Sequence, residues 1–296
     1  MSTLNIQSIS IFHQVDSFVK QLIKIFSNNH SPKLNWVIAQ LNCLYHPFYT
    51  AYDDDYCYSF TVLVFLGSTQ ALVGDIASAN VVWNYELASQ FLKYLESYKT
   101  TIQQSQLSEY YQEIANQREL AIYASQLVTK YARSLVVMVA LSYKQNCRAM
   151  VTLESFYEHI EKLRDLISNK QTCFSHLIGY AWALEQGVDK GVHCHLWLVY
   201  DGSKRQSDFH IGKEVGEKWL QITGNLGEYH NSNQPETKDF YKSIGKLGIG
   251  RIHRNNSLEL NNAVATALYL TKPSKTNQYM LVKPFAMRTF GKGILK

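Results

Sequence analysis

Residues 183–200, ALEQGVDKGVHCHLWLVY, constrain the fold of this chain more than any other stretch. They read as two strands joined by a glycine-bounded loop. In a strand, residues i and i+2 point to the same face. His193 and His195 therefore project together, roughly 7 Å apart at their Cα atoms, within reach of one metal ion. Cys194 points the other way with Leu196 and Leu198, as core rather than ligand. The preceding strand, 177–185, alternates bulky residues (Ile178, Tyr180, Trp182, Leu184) with small ones (Gly179, Ala181, Ala183) and ends in Glu185. The bulky set joins Cys194 on the buried face, and Glu185 joins the histidines. That holds only if the hairpin register sets Glu185 opposite His193, because a slip of one residue sends it into the core. Two imidazoles and a carboxylate form an N/N/O donor set suited to Mn²⁺, Mg²⁺ or another divalent ion. His230 and His253 compete with Glu185 as third ligand. Ten histidines in 296 residues give about 0.3 His-X-His pairs by chance, so the spacing carries little by itself.

Composition narrows the class. With 46% hydrophobic and 18% charged residues, the chain reads as a globular protein. No apolar run approaches the ~20 residues of a membrane span, so no membrane partner is expected. The opening MSTLNIQSIS has no basic region followed by an apolar core, which argues against a secretory signal. Five cysteines without a C-x-x-C pair point to a reducing cytoplasmic setting, not a disulfide framework or zinc ribbon. Charge is uneven. Residues 1–130 hold 7 Lys+Arg against 10 Asp+Glu, and residues 131–296 hold 22 against 14. The half with the histidine pair is thus the basic half, which suits a polyanionic substrate.

Two regions follow from the patterning. Residues 1–132 read as mostly helical, of undetermined role, with helices around 18–26, 82–98 and 106–132 separated by a polar break at 99–106. Asp53, Asp54 and Asp55 read as a solvated loop rather than a cation site. Residues 133–296 open with the apolar strand 135–143. An amphipathic helix at 152–168, the paired strands, a helix at 209–223, weak strands at 229–231 and 251–253, and a helix at 258–271 complete them. This order predicts an α+β domain, an antiparallel sheet with helices on one face and the histidine pair at its centre.

The last helix carries Tyr269-Leu270-Thr271-Lys272 and is stopped by Pro273. Tyr269 and Lys272 share a face, although a lysine in a last turn is also what the helix dipole favours. Taken in order, the chain has an apolar strand, an acid, His-hydrophobic-His on a strand, a helix, and Tyr-x-x-Lys on a later helix. This resembles the rolling-circle replication initiators of the HUH endonuclease superfamily. GVHCHLWLVYDGSKRQSDFHIGKEVGEKW, YLTK and the closing RTFGKG are similar to the inovirus-type replication endonucleases of filamentous phages and prophages. The resemblance covers roughly 133–296. A single tyrosine stands where some relatives have two, since position 265 is alanine. Cys194 stands where bulkier residues are common.

The resemblance implies an RRM/ferredoxin-like core, with His193, His195 and Glu185 binding Mn²⁺ or Mg²⁺. It implies Tyr269 as nucleophile and Lys272 as the accompanying lysine. The activity implied is site-specific nicking and rejoining of single-stranded or locally melted origin DNA through a covalent 5′-phosphotyrosine, which initiates rolling-circle replication. Lys204, Arg205, Arg251 and Arg254 are candidate phosphate contacts. No G-x-x-x-x-G-K-[ST] is present, so a host helicase is expected to unwind and a host polymerase to extend. Relaxases usually place the tyrosine before the histidines, which favours an initiator. A transposase, or a catalytically inactive DNA-binding regulator with this fold, stays open as an alternative.

Overall fold

A computed structural model of the chain describes residues 4–74, 81–187, 190–271 and 279–295. The protein is α+β and divides into two compact units. The first comprises Met1–Tyr110 and Met280–Ala286, the second Tyr111–Tyr279 and Met287–Lys296. The division therefore falls at 110/111, not at 132, and a late segment of the chain belongs with the first unit.

The first unit packs α1 (Ser10–Ser27), α2 (Leu34–Ala51), α3 (Phe60–Val73) and α4 (Tyr85–Ser97), with the short strand β1 (Tyr56–Tyr58) between α2 and α3. Phe12, Leu22, Leu41, Phe48, Phe65 and Phe91 are fully buried there. Asn84 caps α4 by accepting from the Leu87 amide at 3.0 Å, which satisfies a donor the helix itself cannot. The polar segment at 99–106, expected to be a break, is instead helical. It opens α5 (Lys99–Lys130), a 32-residue helix. Polar glutamines and serines cost an exposed helix little, and no Gly or Pro interrupts the run.

In the second unit an apolar strand, β2 (Arg133–Tyr143), is followed by a 3-10 turn at Gln145–Met150 and by α6 (Leu153–Ser168). Next come β3 (Leu177–Gly187), β4 (Gly191–Asp201), α7 (Asp208–Ile222) and β5 (Gly227–Asn231). Between the two strands placed near 229–231 and 251–253 lies α8 (Pro235–Ser243), followed by β6 (Gly250–His253) and α9 (Ser257–Leu268). β7 (Val282–Pro284) pairs with β1, and β8 (Phe290–Lys292) returns to the edge of the large sheet. The sheet order is β5-β2-β4-β3-β8, with β6 also pairing β2. The four strands of the βαββαβ unit are antiparallel in the order 4-1-3-2, the ferredoxin-like arrangement.

Helices cover both faces of this sheet, not one. On one face Tyr143 stacks edge-on against Phe156 of α6 and Trp219 of α7, and Arg164 of α6 lies 4.8 Å over the Trp182 ring. On the other, Leu120, Tyr123, Ala124, Leu127 and Val128 of α5, with Ala263 and Ala267 of α9, bury Val136, Met138, Ala181, Trp197 and Val199. The expectation of one covered face failed because alternation within strands shows which residues pair off, not which helices later dock on them. Small residues make the docking close. A Cβ at Gly179 would lie 2.1 Å from Leu127 Cδ2, so only glycine admits α5 there. No helix among the described residues is long and apolar enough to cross a membrane.

Candidate metal centre

The hairpin β3–β4 builds the centre by register alone. Glu185 stands opposite His193, and Ala183 opposite His195. On its other side His195 faces Ala140 of β2. Directly opposed residues share a face, so Glu185, His193 and His195 point the same way, as the register condition required. Alanine on both flanks leaves room above the His195 ring.

The three side chains converge in a buried setting. Relative exposure is 6% for Glu185, 3% for His193 and 7% for His195. One carboxylate oxygen of Glu185, Oε2, lies 3.3 Å from His193 Nε2 and 3.4 Å from His195 Nε2. All the potential ligand atoms fall within 4.8 Å of one another. His193 Nδ1 lies 3.0 Å from the Gly191 carbonyl oxygen. A carbonyl only accepts, so Nδ1 donates to it, and Nε2 is the ring atom turned toward Glu185. That is the outer-shell arrangement that orients a metal-binding imidazole. The donor set therefore fits, and the Glu185–His193–His195 triad could hold a metal ion.

Tyr269 reaches the same place by a different route. Helix α9 ends at Leu268, and Tyr269–Thr271 forms a 3-10 turn rather than the final helical turn expected. Leu270 and Thr271 are buried and anchor this turn, whereas Tyr269 is 39% exposed. Its ring meets His195 edge to face, with centroids 5.5 Å apart and planes at 89°. The two imidazoles are themselves T-shaped at 5.0 Å. Lys272 lies outside the described residues.

Other candidates fall elsewhere. Cys194 is buried on the opposite face, where desolvation pushes its thiol up and keeps it protonated. His230 shares a register row with His195 across Ala140, two strand spacings or ~9.6 Å away, and is exposed. His253 pairs with Arg133 at the far end of β2 and contacts Glu259 Oε2 at 3.0 Å. Glu185, not either histidine, completes the triad. Lys204, Arg205, Arg251 and Arg254 are not gathered there. Arg251 stands opposite Leu135 and His195 opposite Ala140, a separation of ~17 Å along β2. Lys204 and Arg205 follow Asp201, ~20 Å along β4 from His195. Arg254 donates its backbone amide to Ala132, and Arg205 is paired to Glu214 at 2.7 Å. These cations line the opposite end of the sheet.

Two residues near the triad carried no sequence signal. Glu113 of α5 is half-buried. Desolvation first, and the charge of Glu185 second, push its carboxyl up. Arg148, in the 3-10 turn after β2, packs beside Gly191. Neither residue belongs to a spaced motif. Only the docking of α5 and the path of the turn bring them close.

A family profile described as the YagK/YfjJ C-terminal domain matches residues 91–292. The chain belongs to this family. The YagK/YfjJ match includes Glu185, His193, His195 and Tyr269 together with the whole ferredoxin-like unit. No curated protein and no solved structure matches the chain.

Proposed function

We propose that this protein is a metal-dependent endonuclease and strand transferase that nicks and rejoins single-stranded or locally melted DNA through Tyr269, starting rolling-circle replication of a phage, plasmid or prophage element. The observation that carries the reading is the edge-to-face contact of Tyr269 with His195, at 5.5 Å between centroids, beside the Glu185–His193–His195 triad. A half-exposed phenol against a buried N/N/O donor set suits attack on an external substrate, because the nucleophile stands at the surface beside the residues that would hold the ion. A buried carboxylate beside two buried imidazoles is otherwise costly.

A divalent ion held by Glu185, His193 and His195, Mn²⁺ or Mg²⁺, would supply Lewis-acid polarisation of a phosphodiester's non-bridging oxygen. The chain's own residues do the rest. Gly191 orients the His193 ring, and the β3–β4 register turns both Nε2 atoms and the Glu185 carboxylate toward one point. Tyr269 Oη loses its proton as it attacks phosphorus. One O–P bond forms, the P–O3′ bond breaks, and the departing 3′ oxygen takes a proton. The product is a 5′-phosphotyrosine with a free 3′-OH, and reversal rejoins the ends without ATP. Extension would fall to a host polymerase and unwinding to a host helicase in the cytoplasm. Lys204, Arg205, Arg251 and Arg254 then serve as distant contacts along the strand, not as residues of the reacting centre.

The test is a denaturing gel of protein mixed with end-labelled single-stranded DNA and Mn²⁺. The wild-type chain is expected to form a covalent adduct. Tyr269→Phe keeps the ring and its contact with His195, so folding and Mn²⁺ binding persist while the adduct disappears. An adduct of undiminished yield in the Phe variant would assign the nucleophile to another residue.

A further inference from the structure

We propose that the outer side of α8 is a stacking platform for single-stranded DNA, with Phe240 and Tyr241 meeting bases and Lys242 and Lys246 meeting phosphates of the strand that reaches Tyr269. The proposal rests on the reading of the centre as a site for DNA. An exposed apolar surface, its charge and its position carry it.

The surface belongs to a helix that turns its large apolar residues to solvent. A surface helix ordinarily buries one apolar stripe, yet α8 has no buried residue. Phe240 is 59% exposed, Tyr241 40%, and Ile244, which ends the helix, 46%. Their i, i+1, i+4 spacing sets all three on one side. The two rings touch, with centroids 5.4 Å apart and planes at 67°. The helix is held without them. Lys238 Nζ pairs with Asp208 Oδ2 at 2.7 Å near its start, and Asn262 of α9 donates to the Gly245 carbonyl at 3.0 Å just past its end. Contiguous apolar side chains kept in water on an anchored element mark a contact surface.

Charge selects the occupant. Residues 240–258 contain Lys242, Lys246, Arg251 and Arg254 and no Asp or Glu. Lys242 and Lys246 lie with the aromatic pair in an unbroken exposed run, 239–246. Of the acids on adjoining segments, Asp208 is engaged by Lys238 and Glu259 by His253, while Glu236 and Asp239 precede the aromatic pair. An apolar protein partner needs no such cations. A single strand presents phosphates and unpaired base faces together, and the pairing of aromatic rings with lysines answers both.

Position ties the platform to the nucleophile. The chain leaving α8 lies against α9, where a Cβ on Gly248 would stand 2.1 Å from the Asn262 carbonyl oxygen and 2.3 Å from Thr266 Oγ1. Thr266 precedes Tyr269 by three residues, a rise of ~4.5 Å along a helix. Bases laid on α8 therefore belong to nucleotides flanking the one presented to Tyr269.

The experiment measures binding of a fluorescent mixed-sequence single strand to the full-length chain by anisotropy over a range of salt, without divalent metal so that no adduct forms. Phe240→Ala and Tyr241→Ala are each expected to weaken binding at least about fivefold, as loss of a stacked base does. Phe240→Trp should keep or raise affinity. Lys242→Ala and Lys246→Ala should each flatten the log–log salt dependence by about 0.7, the share of one phosphate on a single strand. Melting midpoints should stay at the wild-type value, since all four side chains are exposed. A duplex of the same sequence should show no loss with the aromatic variants, because its bases stack on one another. Wild-type affinity in both aromatic variants overturns the proposal, and so does an equal loss on the duplex. Sedimentation, and flotation with anionic phospholipid vesicles, test a second copy and a lipid surface as occupants. Either kind of binding, abolished by Phe240→Ala while DNA affinity is untouched, overturns it as well. The nicking reading is decided apart from this, by the Tyr269 adduct. An adduct from the wild type with full DNA affinity in the α8 variants leaves nicking standing and sinks the platform. DNA binding that depends on Phe240 without any adduct does the reverse, and a wild-type chain that binds no single strand overturns the platform outright.

Discussion

Asn233→Ala should cost the second unit about 3–6 kcal/mol. β2 is paired on its outer edge by β6 over Arg133–Val136 and by β5 over Val139–Tyr143. Between them the side chain of Asn233 takes the place of a strand. Its Oδ1 accepts from the Met138 amide at 2.8 Å, and its Nδ2 donates to the Val136 carbonyl at 2.9 Å. The same Nδ2 donates to Asp208 Oδ2 at 2.9 Å, the oxygen that also pairs with Lys238 at 2.7 Å. Asn233 is 1% exposed, so water does not replace these bonds freely. Alanine strands an amide, a carbonyl and part of a carboxylate, at about 1–3 kcal/mol each, with the two backbone groups dominating. Against a typical stability of about 5–15 kcal/mol, that is a large share. Asn233→Asp should be worse, since it keeps the acceptor for Met138 but sets a carboxylate against Asp208 and the Val136 carbonyl. Urea unfolding gives the free energy, and hydrogen exchange at the Met138 amide gives the local effect. A loss below about 1 kcal/mol, with Met138 still protected, would show that Asn233 does not close the sheet edge.

Further expectations concern the centre and its scaffold. Cys194→Ser should leave Mn²⁺ affinity within about twofold while costing on the order of 1–3 kcal/mol of stability, whereas His193→Ala should weaken Mn²⁺ binding at least tenfold; metal titration with parallel melts separates the two. His159, lowered by burial and secondarily by Lys162, sits 2.8 Å from the Tyr143 hydroxyl. Its contribution to stability is present above the unfolded value of 6.5 and is lost as pH falls toward the lower folded value. Urea midpoints from pH 7.5 to 5.5 should therefore fall in the wild type and fall less in His159→Gln, with His13, also lowered by burial, keeping its own share. A fragment spanning 133–296 should fail to fold, because it lacks the α5 residues packed on the sheet. Leu120, Leu127 and Val128 alone account for roughly 5–9 kcal/mol of burial, and a two-state melt from that fragment would contradict the packing.

What is local could be read from the order of the residues alone. Alternation along β4 put His193 and His195 on one face and Cys194 on the other, because a strand's side-chain period is two whatever surrounds it. The apolar stripe of α6 and the βαββαβ order were legible for the same reason, since periodicity is written in neighbouring residues. Glu185 was legible only as a condition, because one step of hairpin register decides between site and core.

The rest needed the tertiary structure. The polar start of α5 has no stripe to announce a helix, and its far half belongs on a sheet that begins only after it. Tyr269 stood three residues from Lys272 in a pattern with an ordinary explanation. What singles it out is the alanine-flanked space over His195, assembled from β2, β3 and β4. The basic residues 204, 205, 251 and 254 looked like one patch around the histidines because chain distance hides ~20 Å of strand. Arg148 and Glu113 carry no motif, and a turn and a docked helix bring them to the triad. Local periodicity assigns a side chain to a face, while distance between faces, ends and elements is a property of the packed chain.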